Sequence, residues 1–297
     1  MVLIEELRKN VINSIFTMSS FKKSWGTWKN EISKYAPTPT AKEIFDLGDH
    51  LREIFLSTNK KNRSQSTLSS GGYCWEALVC WYLNICLVGT NTVVLKPTTK
   101  LLPEVIKNAI TVNFKGFSSN TESDLIAITF FDNYFLSETH DTENITEVIN
   151  QYLYEKNKFA NIDIHIIQCK TNWNDNAQIP MLWDIVYSST GFKGKSINMG
   201  VGGHSFRHAN SFTYSFITVP TTNPENLTTD SLPVKRVRDL SGGNYWGMKT
   251  KDSVAFSIKE IINQHFQDNF SLETIEIDKL KNLKYFDFPF NDKRDIS

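Results

Sequence analysis

The chain has 297 residues, 40% hydrophobic and 22% charged, an ordinary globular balance sufficient for one large domain or two small ones. Lys plus Arg equals Asp plus Glu at 32 each, so net charge neither favours nor rules out a nucleic-acid partner, which needs only a local basic patch. The four cysteines, Cys74, Cys80, Cys86 and Cys169, form no C-x-x-C, and three share one apolar segment. They read as buried small hydrophobes in a reducing compartment, which excludes a disulfide scaffold or a cysteine zinc site.

The N-terminus, M-V-L-I-E-E-L-R-K-N, puts acids where the apolar stretch of a secretory signal should continue. Residues 2–16 read as an amphipathic helix. Residues 40–57 read as another, with Thr40 as N-cap and Glu43 three residues later. Y-A-P-T-P-T before it is a loop. The polar stretch 57–72 reads as a mobile linker, dividing a helical N-terminal part (1–60) from the main body (61–297), or lying within one continuous domain. Residues 73–87 read as a buried helix. Its apolar run, 77–88, contains Asn84 and is too short to span a bilayer, so a soluble cytoplasmic protein without a membrane partner is expected.

Residues 92–96 read as a short strand and 101–110 as a helix, with a strand over 109–114 as the alternative. S-D-L-I-A-I-T-F-F gives a strand over 124–131, and 142–157 a helix capped near Thr142. In N-I-D-I-H-I-I-Q-C-K, Ile162, Ile164 and Ile166 alternate with Asp163 and His165 before an apolar close, the pattern of a central strand over 162–170. Residues 176–188 read as a helix, 194–210 as a loop, 211–219 as a strand, 221–250 as irregular, and 252–267 as a helix beginning at Asp252 or Ser253. Strands alternating with helices argue for an α/β fold with a central mixed β-sheet flanked by helices.

Two strand ends carry chemistry. Gln168 and Lys170 project together because side chains at i and i+2 share a face. A lysine at the end of a buried strand needs a reason, since an unpaired buried lysine is rare. Asp124 opens the other apolar strand, where an acid can bind a divalent cation without being buried in the core. Phosphodiester hydrolysis needs an activated water, a Lewis acid on the scissile phosphate and a cation to orient the nucleophile. Asp124, the Gln168 amide oxygen and the Cys169 carbonyl are metal donors, and Lys170 is the orienting cation.

The pattern Asp124…Gln168-Cys169-Lys170 resembles that of the PD-(D/E)XK nuclease superfamily, with I-I-Q-C-K similar to the Gln variant of Mrr-like restriction enzymes. The resemblance covers roughly residues 70–190 and rests on these few positions. It implies a restriction-endonuclease-like core, Mg²⁺ as cofactor, double-stranded DNA as substrate and, for a palindromic site, a homodimer. It departs from the usual pattern at Gln168, which replaces an acid, and in the long separation of Asp124 from Gln168. Family members often carry a Glu on the helix preceding the catalytic sheet, a role that falls on Glu76, with Glu122 as substitute. The helix after the catalytic strand brings Gln178 near the site.

DNA contacts are expected from the glycine- and histidine-containing loop with His204 and Arg207, and from the basic stretch with Lys235, Arg236, Arg238 and Lys249. Plain surface loops are the alternative for both. The sequence therefore leads to a type II restriction endonuclease. A repair or modification-dependent nuclease of the same fold, or a non-catalytic DNA-binding module, are the competing readings.

Overall fold

The computed structural model describes residues 2–58, 65–114, 117–119, 123–137, 144–171, 198–220, 223–266 and 270–290. Its strands in chain order are β1 (Thr92–Leu95), β2 (Val112–Phe114), β3 (Phe117–Ser119), β4 (Leu125–Phe130), β5 (Ile162–Lys170), β6 (Asn198–Met199), β7 (Ser211–Thr218), β8 (Asn244–Trp246) and β9 (Phe256–Ser257). Six of them make one mixed sheet in the order β1-β4-β5-β7-β8-β9, and β3-β2-β6 make a second, smaller one. The chain is thus α/β with a mixed sheet. β1, β4 and β5 run antiparallel in turn, and β5, β7, β8 and β9 run parallel.

β5 occupies the expected 162–170 and lies inside the sheet, buried except at Asp163 and Lys170, which are half-buried. Its β-branched alternation therefore matches its position, with helices or neighbouring chain over both faces. On one face His165 meets His265 of the helix Ile258–His265 at 4.2 Å between ring centroids and accepts or donates a short contact with Thr213. Burial holds both imidazoles below their ordinary range, and the neighbouring His265 adds to this for His165. A depressed histidine pKa contributes stability that is present above the unfolded value, near 6.5, and is lost as pH falls below it. Thermal stability is expected to drop between pH 7 and pH 5, chiefly through the fully buried His165, by up to about 1.4 kcal/mol per pH unit. His265→Gln should flatten that slope in a pH series of melts; an unchanged slope would show that the pair does not govern it.

Helix α1 (Val2–Thr17) is followed by α2 (Ser19–Tyr35), α3 (Ala41–Asp46), α4 (Leu51–Leu56) and α5 (Gln65–Cys86). α5 packs against β1 and β5 and also against α1, α2 and α4, and one apolar core runs through all of these. The edge strand β1 has its free backbone groups taken by side chains. Buried Asn84 donates to the Val94 carbonyl at 2.6 Å and accepts from the Val94 N–H at 3.2 Å. Arg8, fully buried, donates to the Thr92 carbonyl at 2.5 Å. Buried backbone groups need such partners, and an edge so covered is closed to further strands.

Several expectations are corrected. α2 was not foreseen, although its buried Phe21, Trp25, Trp28 and Ile32 are spaced as one helical face. The helix expected over 40–57 keeps its Thr40–Glu43 capping box but breaks at a 3₁₀ turn, Leu47–Asp49. A Cβ on Gly48 would stand 2.5 Å from the Tyr82 hydroxyl, so the chain passes too close there for any side chain. The stretch 57–72 is not all linker, since α5 begins at Gln65 (59–64 lie outside the described residues). Its glycines disfavour a helix locally, but the apolar remainder carries the helix through them. α6 (Glu104–Ala109) and β2 share the stretch read as helix or strand. The expected irregular region 221–250 contains the helix Leu232–Leu240 and β8. The last long helix starts at Ile258, capped by Ser257 and Glu260, rather than near residue 252. The four cysteines are free and buried. No described helix is long and apolar enough to cross a membrane.

Candidate active site

Asp124 stands immediately before β4, and the antiparallel register that pairs Leu125 with Ile167 sets it beside Gln168. Gln168 Nε2 donates to Asp124 Oδ2 at 2.6 Å, and the Cys169 backbone N–H donates to the same oxygen at 2.7 Å. Sheet pairing thus closes a separation of 44 residues. Burial pushes the Asp124 carboxyl up to about 6, and the charge of Glu76 adds to this, while Lys170, the Cys169 N–H and Lys96 oppose it. Glu76, Lys96 and Lys170 are therefore all close enough to act electrostatically on Asp124.

Glu76 lies within α5, well inside the helix rather than at its N-terminus, so a helix-end role does not account for it. Its carboxylate accepts from Lys96 Nζ at 2.5 Å, and the two side chains are 13% and 9% exposed. Lys96 directly follows β1 and also lies 5.2 Å from the Tyr73 ring centroid. Lys96 was missed as a candidate. T-V-V-L-K carries the signal that singled out Lys170, an apolar strand ending in lysine. Lys170 is half-buried and forms no ion pair with a described residue. Its carbonyl accepts from Val219 N at 3.0 Å and Thr218 Oγ1 at 3.1 Å, which fixes the strand end from which the side chain leaves. Tyr214, in register with Ile166, was also missed. Its buried hydroxyl has no partner among the described residues, and burial and the Asp124 charge push its pKa up.

Two features suit a cation here. Gln168 is 1% exposed, and its Oε1 has no hydrogen-bond partner among the described residues, an arrangement that is costly unless something else satisfies the oxygen. The hydrogen bonds that Asp124 receives from described residues both end on Oδ2. Among the described residues no group of three or more His, Cys, Asp or Glu side chains is arranged to hold a metal. The donor set is two carboxylates, Asp124 and Glu76, with the Gln168 amide oxygen and the Cys169 carbonyl. A cleft of about 690 Å³ opens alongside, and its lining includes Pro97, next to Lys96, and Ser123, next to Asp124.

The expected DNA-contacting residues do not form one surface. Lys235, Arg236 and Arg238 are exposed on the helix Leu232–Leu240, with Val234 and Val237 buried beneath. Lys235 pairs with Asp230 at 3.0 Å and Arg238 with Asp239 at 2.8 Å, so acids offset part of this cluster. Lys249 is exposed beyond β8, at the sheet end where Lys170, Thr218 and Trp246 are in register. Arg207 is exposed at the opposite end, where Ser211 pairs with Asp163, about 23 Å along β5 from Lys170 at the usual strand rise. His204 corrects the expectation of a DNA-reaching histidine: it is 7% exposed and packs near the rings of Tyr154 and Phe159. Gln178, Glu122 and the helix expected over 176–188 lie outside the described residues.

Comparison of the chain with protein-family models and with curated proteins finds no match.

Proposed function

We propose that the chain is a Mg²⁺-dependent endonuclease on double-stranded DNA, of the restriction type, with Asp124, Glu76, Gln168 and Lys170 as its active site on a restriction-endonuclease-like core. The observation that carries this reading is the meeting of Asp124 with Gln168 and Cys169 across β4 and β5, with Glu76 and Lys170 acting on the same carboxylate. Two mutually repelling carboxylates beside a buried amide oxygen with no partner among the described residues make a site that a divalent cation would relieve. Asp124, Glu76, Gln168 Oε1 and the Cys169 carbonyl would hold Mg²⁺, which supplies a Lewis acid for the scissile phosphate.

The remaining work falls to this chain's own groups. Lys170 opposes the charge of the scissile phosphate and orients the attacking water. Lys96 holds the Glu76 carboxylate by their ion pair and keeps it beside Asp124. Gln168, through Nε2, fixes one oxygen of Asp124 so that the carboxylate presents the other. In this reading the protein acts as a homodimer on a palindromic site, each copy cutting one strand.

Purified protein incubated with plasmid and Mg²⁺ should give discrete bands, with none in chelator. Parallel plasmids with and without methylated bases separate a restriction enzyme from a modification-dependent one. DNA binding without cleavage in any of these would favour the non-catalytic module, a reading that the neutral Gln168 and the engaged Glu76 support.

Gln168→Glu gives a sharper prediction. The substitution places a second carboxylate 2.6 Å from Asp124 Oδ2 where an amide now donates. Without a cation the like charges should lower stability; with Mg²⁺ the added ligand charge should preserve cleavage. Melts in chelator and in Mg²⁺, run beside the cleavage assay, check both parts. Loss of cleavage in this variant would tell against metal ligation by position 168.

A further inference from the structure

The cleft beside Asp124 has a chemistry of its own. It is walled by the turn after β1, by α6 and by Ser123. Thr99 Oγ1 donates to the Lys96 carbonyl at 2.8 Å and Thr111 Oγ1 to the Lys107 carbonyl at 2.7 Å, so these two hydroxyls are spent on holding the walls. The rest of the lining is rich in groups that can donate hydrogen bonds. Lys100 and Lys107 line it, are exposed, and make no ion pair with a described residue. Asn108 and Thr98 line it as well. Ser123 is 8% exposed, and its hydroxyl has no hydrogen-bond partner among the described residues. Glu104 is the one acid among the described lining residues. Two cations, one anion and several hydrogen-bond donors select an anionic ligand with several acceptor oxygens.

We propose that this cleft binds a backbone phosphate of the DNA strand next to the one cut at Asp124, with Lys100 and Lys107 neutralising it and Ser123 donating to it. The inference rests on the nuclease reading for the identity of the strand. Ser123 and Asp124 are consecutive, as are Lys96 and Pro97, so the two sites share a wall. A phosphate held here would fix the register of the strand without reading its sequence.

The test measures binding of a fluorescent duplex by anisotropy without divalent ions, across a salt series, for the wild type, Lys100→Ala/Lys107→Ala and Ser123→Ala. The double variant should bind more weakly and lower the slope of log K against log salt by about 1, the loss of one phosphate contact. Ser123→Ala should weaken binding and leave the slope nearly unchanged. Both lysines are exposed, so the double variant should keep the wild-type melt. Unchanged affinity and slope in the double variant would overturn the inference. If the wild type still cleaves plasmid in that case, the nuclease reading survives alone. Normal slope loss in a protein that never cleaves would keep the phosphate site and sink the nuclease reading. Calorimetric binding of inorganic phosphate, lost in the double variant while duplex does not bind at all, would assign the cleft to a free phosphate and overturn the strand.

Discussion

Asp124→Ala is expected to reduce Mg²⁺-dependent plasmid cleavage by on the order of 10³-fold or more, to no visible product on a gel. The magnitude is that of removing a principal charge-stabilising group from an active site. Asp124 is the carboxylate on which the site converges: Gln168 and Cys169 donate to it, and Glu76, Lys96 and Lys170 act on it. Its removal also leaves the Gln168 and Cys169 donors unsatisfied, at a cost of about 1–3 kcal/mol. Asp124→Asn serves as the companion variant, since it keeps the side-chain volume while removing the charge. Loss of cleavage in both variants, with Asp124→Asn still folded by circular dichroism, separates lost chemistry from lost structure. Cleavage retained at a tenth of wild type or more in Asp124→Asn would tell against a carboxylate metal ligand at this position.

The second large effect lies far from the site in sequence. Glu5→Ala is expected to destabilise the protein by about 3–5 kcal/mol, the range for stripping a buried charge of its partner. Arg8 is fully buried and donates from Nη1 to Glu5 Oε1 at 2.5 Å, and Glu5 is 18% exposed. The same carboxylate oxygen accepts the Gly89 backbone N–H at 2.7 Å. Through Arg8 Nη2 the pair reaches the Thr92 carbonyl and so ties α1 to the edge of the sheet that carries Lys96. Urea melts of Glu5→Ala and of the double variant Glu5→Leu/Arg8→Met check this. The double variant should recover much of the loss, because apolar replacement of a buried pair is often near neutral. A loss under 1 kcal/mol in Glu5→Ala would mean that Arg8 finds another partner.

The elements that sequence patterning gave correctly are those whose own residues decide them. β5 follows from its alternating isoleucines, and the start of α3 from the Thr40–Glu43 capping box. The pairing of β4 with β5 was expected from the resemblance and not from any turn signal, because a helix intervenes in the chain. α2 was legible in the spacing of Phe21, Trp25, Trp28 and Ile32, but its serines, lysines and Gly26 masked the stripe. Other features belong to tertiary structure. The break at Gly48 follows from the approach of Tyr82 and Lys259, residues distant in sequence. The inward turn of His204 follows from Tyr154 and Phe159.

In the candidate site, residue type and strand position singled out Asp124, Gln168 and Lys170, and the resemblance added Glu76; the structure brings Asp124 and Gln168 into contact and sets Glu76 and Lys170 close enough to act on the Asp124 charge. Lys96 bore the same mark on β1 and became meaningful only when Glu76 was seen to pair with it. The basic residues Lys235, Arg236, Arg238 and Lys249 read as one cluster along the chain. Folded, they divide between a helix surface with acids beside it and the sheet end near Lys170. The cleft lined by Lys100, Lys107 and Ser123 had no sequence signature, because three separate segments build it.

The central claim is that Lys170 and Asp124 serve one hydrolytic site, and Lys170→Ala tests it most directly. Lys170 is half-buried at a strand end and forms no ion pair with a described residue, so its truncation should leave the melt close to wild type and weaken duplex binding by no more than one phosphate contact. Supercoiled plasmid with Mg²⁺ should stay uncut by this variant under conditions in which the wild type gives discrete bands. Bands of wild-type pattern and comparable rate from Lys170→Ala would contradict the account.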